Sequence, residues 1–436
     1  SGAHLAADAG WLGQVGATLP QAVAWGRVQM RDWPLLYRLL RHQPPATVPA
    51  LSGAWTFMAQ PAGNGMLEVH FPERPGRAEG QVSAADIAWR TYLPVEAAAG
   101  PWVAGNRVLL QLADHRLAAF DLDGQFRWAL PLDGPIMGAV HEVWMDRMQA
   151  PLLALNTRAH LLLLTPAGKH VAPSPFRLAR PATAPLQPVD FLKNGHPWFF
   201  VPSGDRMQVY DEFVREVAGW SEVTFADTIG WPVCHLQDAT NDYLCVLTAD
   251  GAAHVLDRLG STRFSLSLGG QPVGAPAGQV HRLSKRFVVP LRTGKIKVIG
   301  LDGRSFNLRL PLQQAGDFRF AFEDVVGDDR KDYIGLSGRT LVVAGYEGQQ
   351  FRTFGTHTFD ARPRWLGVWH LPKGKNKGLL VCALPDGRLY LLDGRGQPLL
   401  TGSLAGERAA LLETEMQTLL LACQGRELMA YRLPAE

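Results

Sequence analysis

The chain has 436 residues, of which 47% are hydrophobic and 19% charged, with a formal net charge of +3 and a pI of about 8.7. That length holds one large domain and a smaller appendage, and the apolar fraction without long charge runs excludes extensive disorder. No basic patch with interleaved aromatics marks a nucleic-acid surface, and no run of about 18 apolar residues offers a membrane span.

Residues 1–85 are expected to form a small, partly helical extension rather than a full domain. Asp32 can N-cap a short helix with Pro34 in its first turn, running through Leu35, Leu36, Leu39 and Leu40 until Pro44 and Pro45 end it. A hairpin follows, with Trp55–Ala59 and Met66–Phe71 alternating around Gly63-Asn64-Gly65. Glu73 to Gly80 has the composition of a linker.

From residue 86 to 436 the chain repeats. The clearest unit is Arg107 to Pro131: an apolar run, a turn, a second run, a turn at Asp121-Leu122-Asp123-Gly124, and a third run carrying Trp128. The second turn recurs at Thr165/Gly168, Asp257/Gly260, Gly300/Gly303, Gly345/Gly348 and Asp393/Gly396. Asp211 fills the gap, with Val214 in the glycine's place. Successive markers lie 44, 46, 46, 43, 45 and 48 residues apart. Aspartate caps such a turn with its own side chain and glycine accepts its positive φ. A period of about 45 with four short strands per unit is the mark of β-propeller blades.

The apolar run recurs before each marker, starting at Val108, Pro151, Trp198, Tyr243, Phe287, Tyr333 and Leu379, and an eighth copy starts at Thr418. That last unit lacks a fourth strand, and Ala88–Pro94 resembles the strand that is missing. The expectation is an all-β propeller of eight blades, closed by this N-terminal strand, so that no edge stays unpaired. Seven is the fallback if one weak unit is an insertion.

Several residues were weighed for chemistry. Asp324, Asp328 and Asp332 fall on the first, fifth and ninth places of a calcium loop like that of integrin-type propellers, but Val326 and Asp329 depart from it. Calcium needs six or more oxygens, so the alternatives are a metal site and a structural turn derived from one. Asp190 with Asn194-Gly195 forms a second degenerate copy, with Trp198 where the last acid belongs. Cys234, Cys245, Cys382 and Cys423 lie in apolar runs and are expected to be buried thiols. Cys234 and Cys245 could also face one another across a hairpin and bond in an oxidising compartment. Tryptophans such as Trp102, Trp144, Trp198, Trp220, Trp231, Trp365 and Trp369 are expected to fill gaps between blades, or else to line the central opening or a face. His357 and His370, placed near the first strand of blade seven, are expected to be structural. The Lys373–Lys377 loop is a solvated tip, or else a contact for an acidic partner or a lipid headgroup. No GxSxG, GxGxxG, P-loop or HExxH motif is present, and His141-Glu142 lacks a second histidine. No residue is assigned a catalytic, cofactor-binding or metal-ligating role.

Leu122-Asp-Gly-Gln-Phe-Arg-Trp128 resembles the quinoprotein-type propeller repeat. Leu155-Asn156-Thr157, Tyr210-Asp211, Gly219-Trp220, Asp242-Tyr243, Asp257-Arg258-Leu259-Gly260 and Asp332-Tyr333-Ile334 resemble, in register, a family of uncharacterised Bacteroidota envelope proteins. In that family a membrane-anchored N-terminal region precedes a C-terminal propeller. The resemblance implies an extracytoplasmic protein, on the periplasmic side, without its anchor, and carries over no catalytic residue. The expected function is a non-enzymatic scaffold for protein–protein interaction, a subunit of an outer-membrane or secretion complex whose partners are other envelope proteins, with no cofactor. One alternative is a small-ligand or glycan-binding propeller with a funnel of Trp and Asp side chains. Another is an enzyme working in the central pocket, quinone-dependent or otherwise. Carboxylates or histidines clustered in that pocket would favour the enzyme, an aromatic floor the ligand reader, and a broad apolar patch on one face the scaffold.

Overall fold

In a computed structural model, residues 87–433 are described except 282–283, 314–316, 348–349, 371–377 and 415–416; of the first eighty residues four strands are described. The chain divides into two compact units, 1–80 and 81–436. The first unit contains one sheet in which Ala24–Gln29, Ala54–Ala62, Met66–His70 and Ala3–Ala6 lie side by side in that order. The hairpin expected from the glycine-rich turn is there, Met58 opposite His70 and Ala62 opposite Met66. The predicted helix from Asp32 and the linker from Glu73 lie outside the described residues, as does the Lys373–Lys377 loop.

The second unit is an eight-bladed β-propeller. Blade one is typical: Ala97–Ala104, Arg107–Leu112, Arg116–Phe120 and Phe126–Pro131 pair antiparallel in chain order. The first strands of neighbouring blades meet around the axis. Second strands are buried throughout, as in Asp332–Ser337 and Gly378–Ala383, because a blade packs on each of their faces. Fourth strands such as Thr262–Ser267 alternate toward solvent. The packing itself fixes the number of blades. Eight apolar clusters are present, one between each consecutive pair, and the cluster of Leu110, Leu112, Leu421 and Leu428 joins blade eight to blade one. Ile87–Tyr92 is the fourth strand of blade eight, with Thr91 opposite Leu428 and Tyr92 opposite Glu427.

The repeated turn has a second use beyond reversing the chain. Its aspartates accept backbone N–H groups as expected, Asp257 Oδ1 from Leu259 and Ser261, and Asp393 Oδ1 from Arg395 and Gln397. The carbonyl of the turn's second residue then accepts an indole N–H from the preceding blade. Trp89 donates to Leu122 O, Trp128 to Pro166 O and Trp220 to Arg258 O, each at 3.0 Å. The indole lies flat over the turn glycine, where a Cβ on Gly124 or Gly168 would come within 2.5 Å of the ring. Glycine is therefore required twice, for positive φ and for this close approach. Each tryptophan bolts one blade to the next, and Trp89 extends the series across the chain ends. Blade two has no tryptophan in its fourth strand, Phe176–Arg177. There Val214 stands at φ 58° and its own side chain is buried in the core between blades two and three.

Two details differ from the sequence reading. Gly345 is not a turn residue: it lies within Thr340–Glu347 opposite Arg352, and the reversal comes between Glu347 and Gln350. The register shift between Val343 and Ala344 has counterparts in blades one and four, at Ala119/Phe120 and Val255/Leu256, where the turn keeps the marker's place. His357 belongs to the fourth strand of blade six, Gln350–Thr358, and sits edge-on to Phe359 rather than beside blade seven's first strand.

Candidate functional site

Two places in the propeller gather side chains that its cores do not fully bury. The first is a cavity of about 500 Å3 on the axis, formed by the first strands of blades seven, eight, one and two. Trp102, Trp365, Trp369 and Arg408 dominate its lining, with Val103 and Val140 beside them. Trp365, Gly367 and Trp369 alternate on one side of the strand Trp365–His370. A Cβ on Gly367 would meet the two rings at 2.2 and 2.3 Å, so its absence lets the indoles approach to 5.8 Å at 42°. Arg408 and Trp365 are the first residues of their strands, which places them at the end where the chain enters the first strands. Among the described residues the lining contains no side-chain carboxylate, imidazole, thiol or hydroxyl group.

A second axial recess, of about 350 Å3, lies along blades three to five and does carry such groups: a bonded carboxylate and imidazole, and a protonated thiol. Asp190 accepts the N–H groups of Asn194 and Gly195. His235 pairs with Asp242 at 2.9 Å and sits edge-on to Phe191. Burial pushes the Cys234 thiol up to about 12, far from a reactive thiolate. Cys234 stands directly opposite Cys245, and both are free thiols, as are Cys382 and Cys423.

The second place is a rim. In an up-and-down blade the loops from strand one to two and from three to four share a face. Eleven large apolar side chains are exposed among the described residues, at 37 to 67% of their surface. Ten of them lie within three residues of those loops: Val103, Phe126, Trp144, Met148, Leu192, Phe213, Leu259, Val280, Phe306 and Leu399. Tyr92 alone belongs to the other end. At blades two and three the groups adjoin. Phe213 lies between the guanidinium groups of Arg147, at 5.1 Å, and Arg215, at 4.7 Å. Arg147 donates to Glu212 O, and Asp146, next to Trp144 in the chain's path, donates its N–H to Gly195 O.

The acidic loop resolves as a turn closed on itself. Asp324 accepts the N–H groups of Gly327, Asp328 and Asp329, and Asp332 those of Val325 and Val326. Among the described residues no three His, Cys, Asp or Glu side chains converge so as to hold a metal ion. Burial, then the nearby charges of Asp328 and Asp324, push the Asp332 carboxyl up to about 7 against the pull of its two N–H donors. His370, exposed, bonds through Nδ1 to Asp324 O.

The sequence predicts the tryptophans as gap fillers or as lining, and several are both. Trp220, Trp198 and Trp231 pack in the inter-blade clusters; Trp102, Trp365 and Trp369 pack against such clusters and also line the cavity, and Trp144 stands on the rim. Arg408 was not singled out, although a lone arginine opening an apolar run, Arg408-Ala-Ala-Leu-Leu, is the available signal.

No protein-family model matches the chain, and no curated protein matches it. Solved structures do. BamB from Moraxella catarrhalis is 15% identical with a TM-score of 0.53, over 80% of this chain and 98% of that one. The computationally designed Ika8 protein is 13% identical with a TM-score of 0.51, over 78% and 100%. BBS1N, solved in complex with ARL6DN, is 15% identical with a TM-score of 0.47, over 80% and 96%. At such identities the likeness is one of architecture, and the architecture they share with this chain is the β-propeller.

Proposed function

We propose that this protein is a non-enzymatic scaffold that docks a protein partner on the rim formed by its strand one-to-two and three-to-four loops. The observation that carries this is the one-sided distribution of exposed apolar groups, ten of eleven on one face. Single exposed hydrophobics are ordinary on any protein, but their gathering on one face of a symmetric ring is not. Trp144, Arg147 and Phe213 supply the aromatic and guanidinium groups that dominate binding energy at interfaces, and Arg147 is held by its bond to Glu212 O with its guanidinium against the Phe213 ring. A rigid ring with many loops suits docking. A non-catalytic role is consistent with the axial cavity, whose described lining residues offer no acid, base or nucleophile, and with the second recess, where Asp190 and His235 are engaged in bonds. The partner is placed in the bacterial cell envelope, on the extracytoplasmic side, by the sequence resemblance alone.

The test is a pull-down of the native protein in gentle detergent with mass spectrometry, in parallel with Phe213→Glu and Leu259→Glu variants. Stoichiometric recovery of one envelope protein, lost in the variants while their melting temperature is kept, supports the reading. Recovery of the protein alone and monomeric sinks it.

A further inference from the structure

The axial cavity takes a different kind of ligand from the rim. Each polar side-chain atom in its lining is a hydrogen-bond donor: three indole N–H groups and one guanidinium. The bolt tryptophans Trp89, Trp128 and Trp220 all donate to a backbone carbonyl, whereas Trp102, Trp365 and Trp369 find no hydrogen-bond partner among the described residues. Arg408 is equally unspent. Its Nη1 donates to Ala98 O, but no carboxylate among the described residues pairs with it. Arg90, Arg116, Arg127, Arg180 and Arg215 each have one. A cation without a counter-charge, free donors and no side-chain acceptor define the complement. It is an anion rich in acceptors, carried on a flat apolar body that can lie against indole faces.

We propose that this cavity binds a carboxylate borne on an aromatic body, with Arg408 taking the carboxylate and Trp365, Trp369 and Trp102 the rings. A volume of about 500 Å3 holds a two-ring acid and lies within the span of ligand pockets. Sugars are disfavoured, because their several hydroxyl donors would meet no side-chain acceptor among the described lining residues, only backbone carbonyls. A phosphate ester is disfavoured because a single arginine leaves its second charge unmatched. The same chemistry has two sources: a free aromatic acid, or the terminal carboxylate of a peptide ending in an aromatic residue.

Isothermal titration of the full chain decides the matter, with four probes: 2-naphthoate, 2-naphthamide, a pentapeptide ending in tryptophan, and that peptide's C-terminal amide. The acids bind at least about tenfold more tightly than their amides, the preference expected of a charge-assisted bond to arginine. Arg408→Gln removes the preference, and amide binding that stays measurable in this variant shows that the cavity is intact; Arg408→Lys keeps part of the preference. Tighter binding of naphthoate than of the peptide names the free acid as the source, and the reverse names the chain terminus. The proposal is overturned if acids and amides bind alike, if Arg408→Gln keeps the preference, or if no probe binds at millimolar concentration.

Discussion

Asp332 gives the most direct test of the electrostatics inside a blade. Its side chain is 1% exposed at the start of the second strand of blade six, and one oxygen accepts the N–H groups of Val325 and Val326. Burial and the charges of Asp328 and Asp324 outweigh those bonds and push its carboxyl from 3.8 up to about 7. The folded state therefore holds a proton that the unfolded chain releases near pH 4. The stability this brings is fully present below about pH 4 and is lost as pH rises through about 7. At 1.36 kcal/mol per pH unit the whole effect is about 4 kcal/mol, of which about 2.5 kcal/mol falls between pH 5 and pH 8. Asp332→Asn keeps an acceptor oxygen for the two amides and abolishes the titration. Urea unfolding of both proteins at pH 5, 6.5 and 8 measures the difference, because groups that titrate in both largely cancel. The asparagine variant should gain on the wild type by about 2.5 kcal/mol between the end points. A constant difference, or one that moves toward the wild type at high pH, would show that the two N–H bonds keep the carboxylate charged and would refute the account.

The indole bolts predict a graded series: Trp128→Phe keeps the ring and loses the bond to Pro166 O, costing about 1 kcal/mol, whereas Trp128→Ala empties the site and costs about 3 kcal/mol, both by urea midpoint. Gly168→Ala should cost about 2–4 kcal/mol, because its Cβ meets the Trp128 ring at 2.5 Å as well as forcing a left-handed residue. Gly204→Ala, at a similar φ with open space around it, should cost only about 1 kcal/mol, and equal losses at the two sites would remove the steric part of the argument. A chain beginning at residue 93 leaves the strand Glu427–Arg432 without its partner, so its melting temperature should fall, and a peptide spanning residues 86–94 added in trans should restore it.

How far the sequence foretells this structure follows from what is repeated in it. Packing between blades makes the same demand eight times, so the second-strand runs, the capped turns and the closing strand Ile87–Tyr92 could be located from residue types alone. The reading slipped where a local pattern imitated the repeat. Gly345 and Gly348 have the marker's spacing, but in blade six the strands go on pairing from Gly345 and Arg352 to Glu347 and Gln350, so the real turn comes two residues on. Val214 looked like a defect, and it becomes intelligible only once blade two is seen to lack a bolt, since its side chain then has a core to fill. The cavity was hidden for another reason. Trp102 and Arg408 are 306 positions apart, and only ring closure brings them together.

The same reasoning separates function from fold. A side chain inside a blade interface answers to its neighbours, and its identity is explained once the packing is known. The rim loops and the axial mouth are exempt from that demand, since a turn needs only an acid and a glycine, and a first strand needs only to present its outer face to the next blade. Leu259 illustrates the point: it occupies the third place of a turn whose Asp257 and Gly260 do the folding, yet it is 59% exposed. Trp365 and Trp369 serve both ends at the axis: they pack against the core between blades seven and eight and still line the cavity. An apolar group kept in water where the fold has no use for it points to a surface that is covered when the protein works; the rim presents such groups, and the axial cavity adds indoles that the cores hold but do not fully bury.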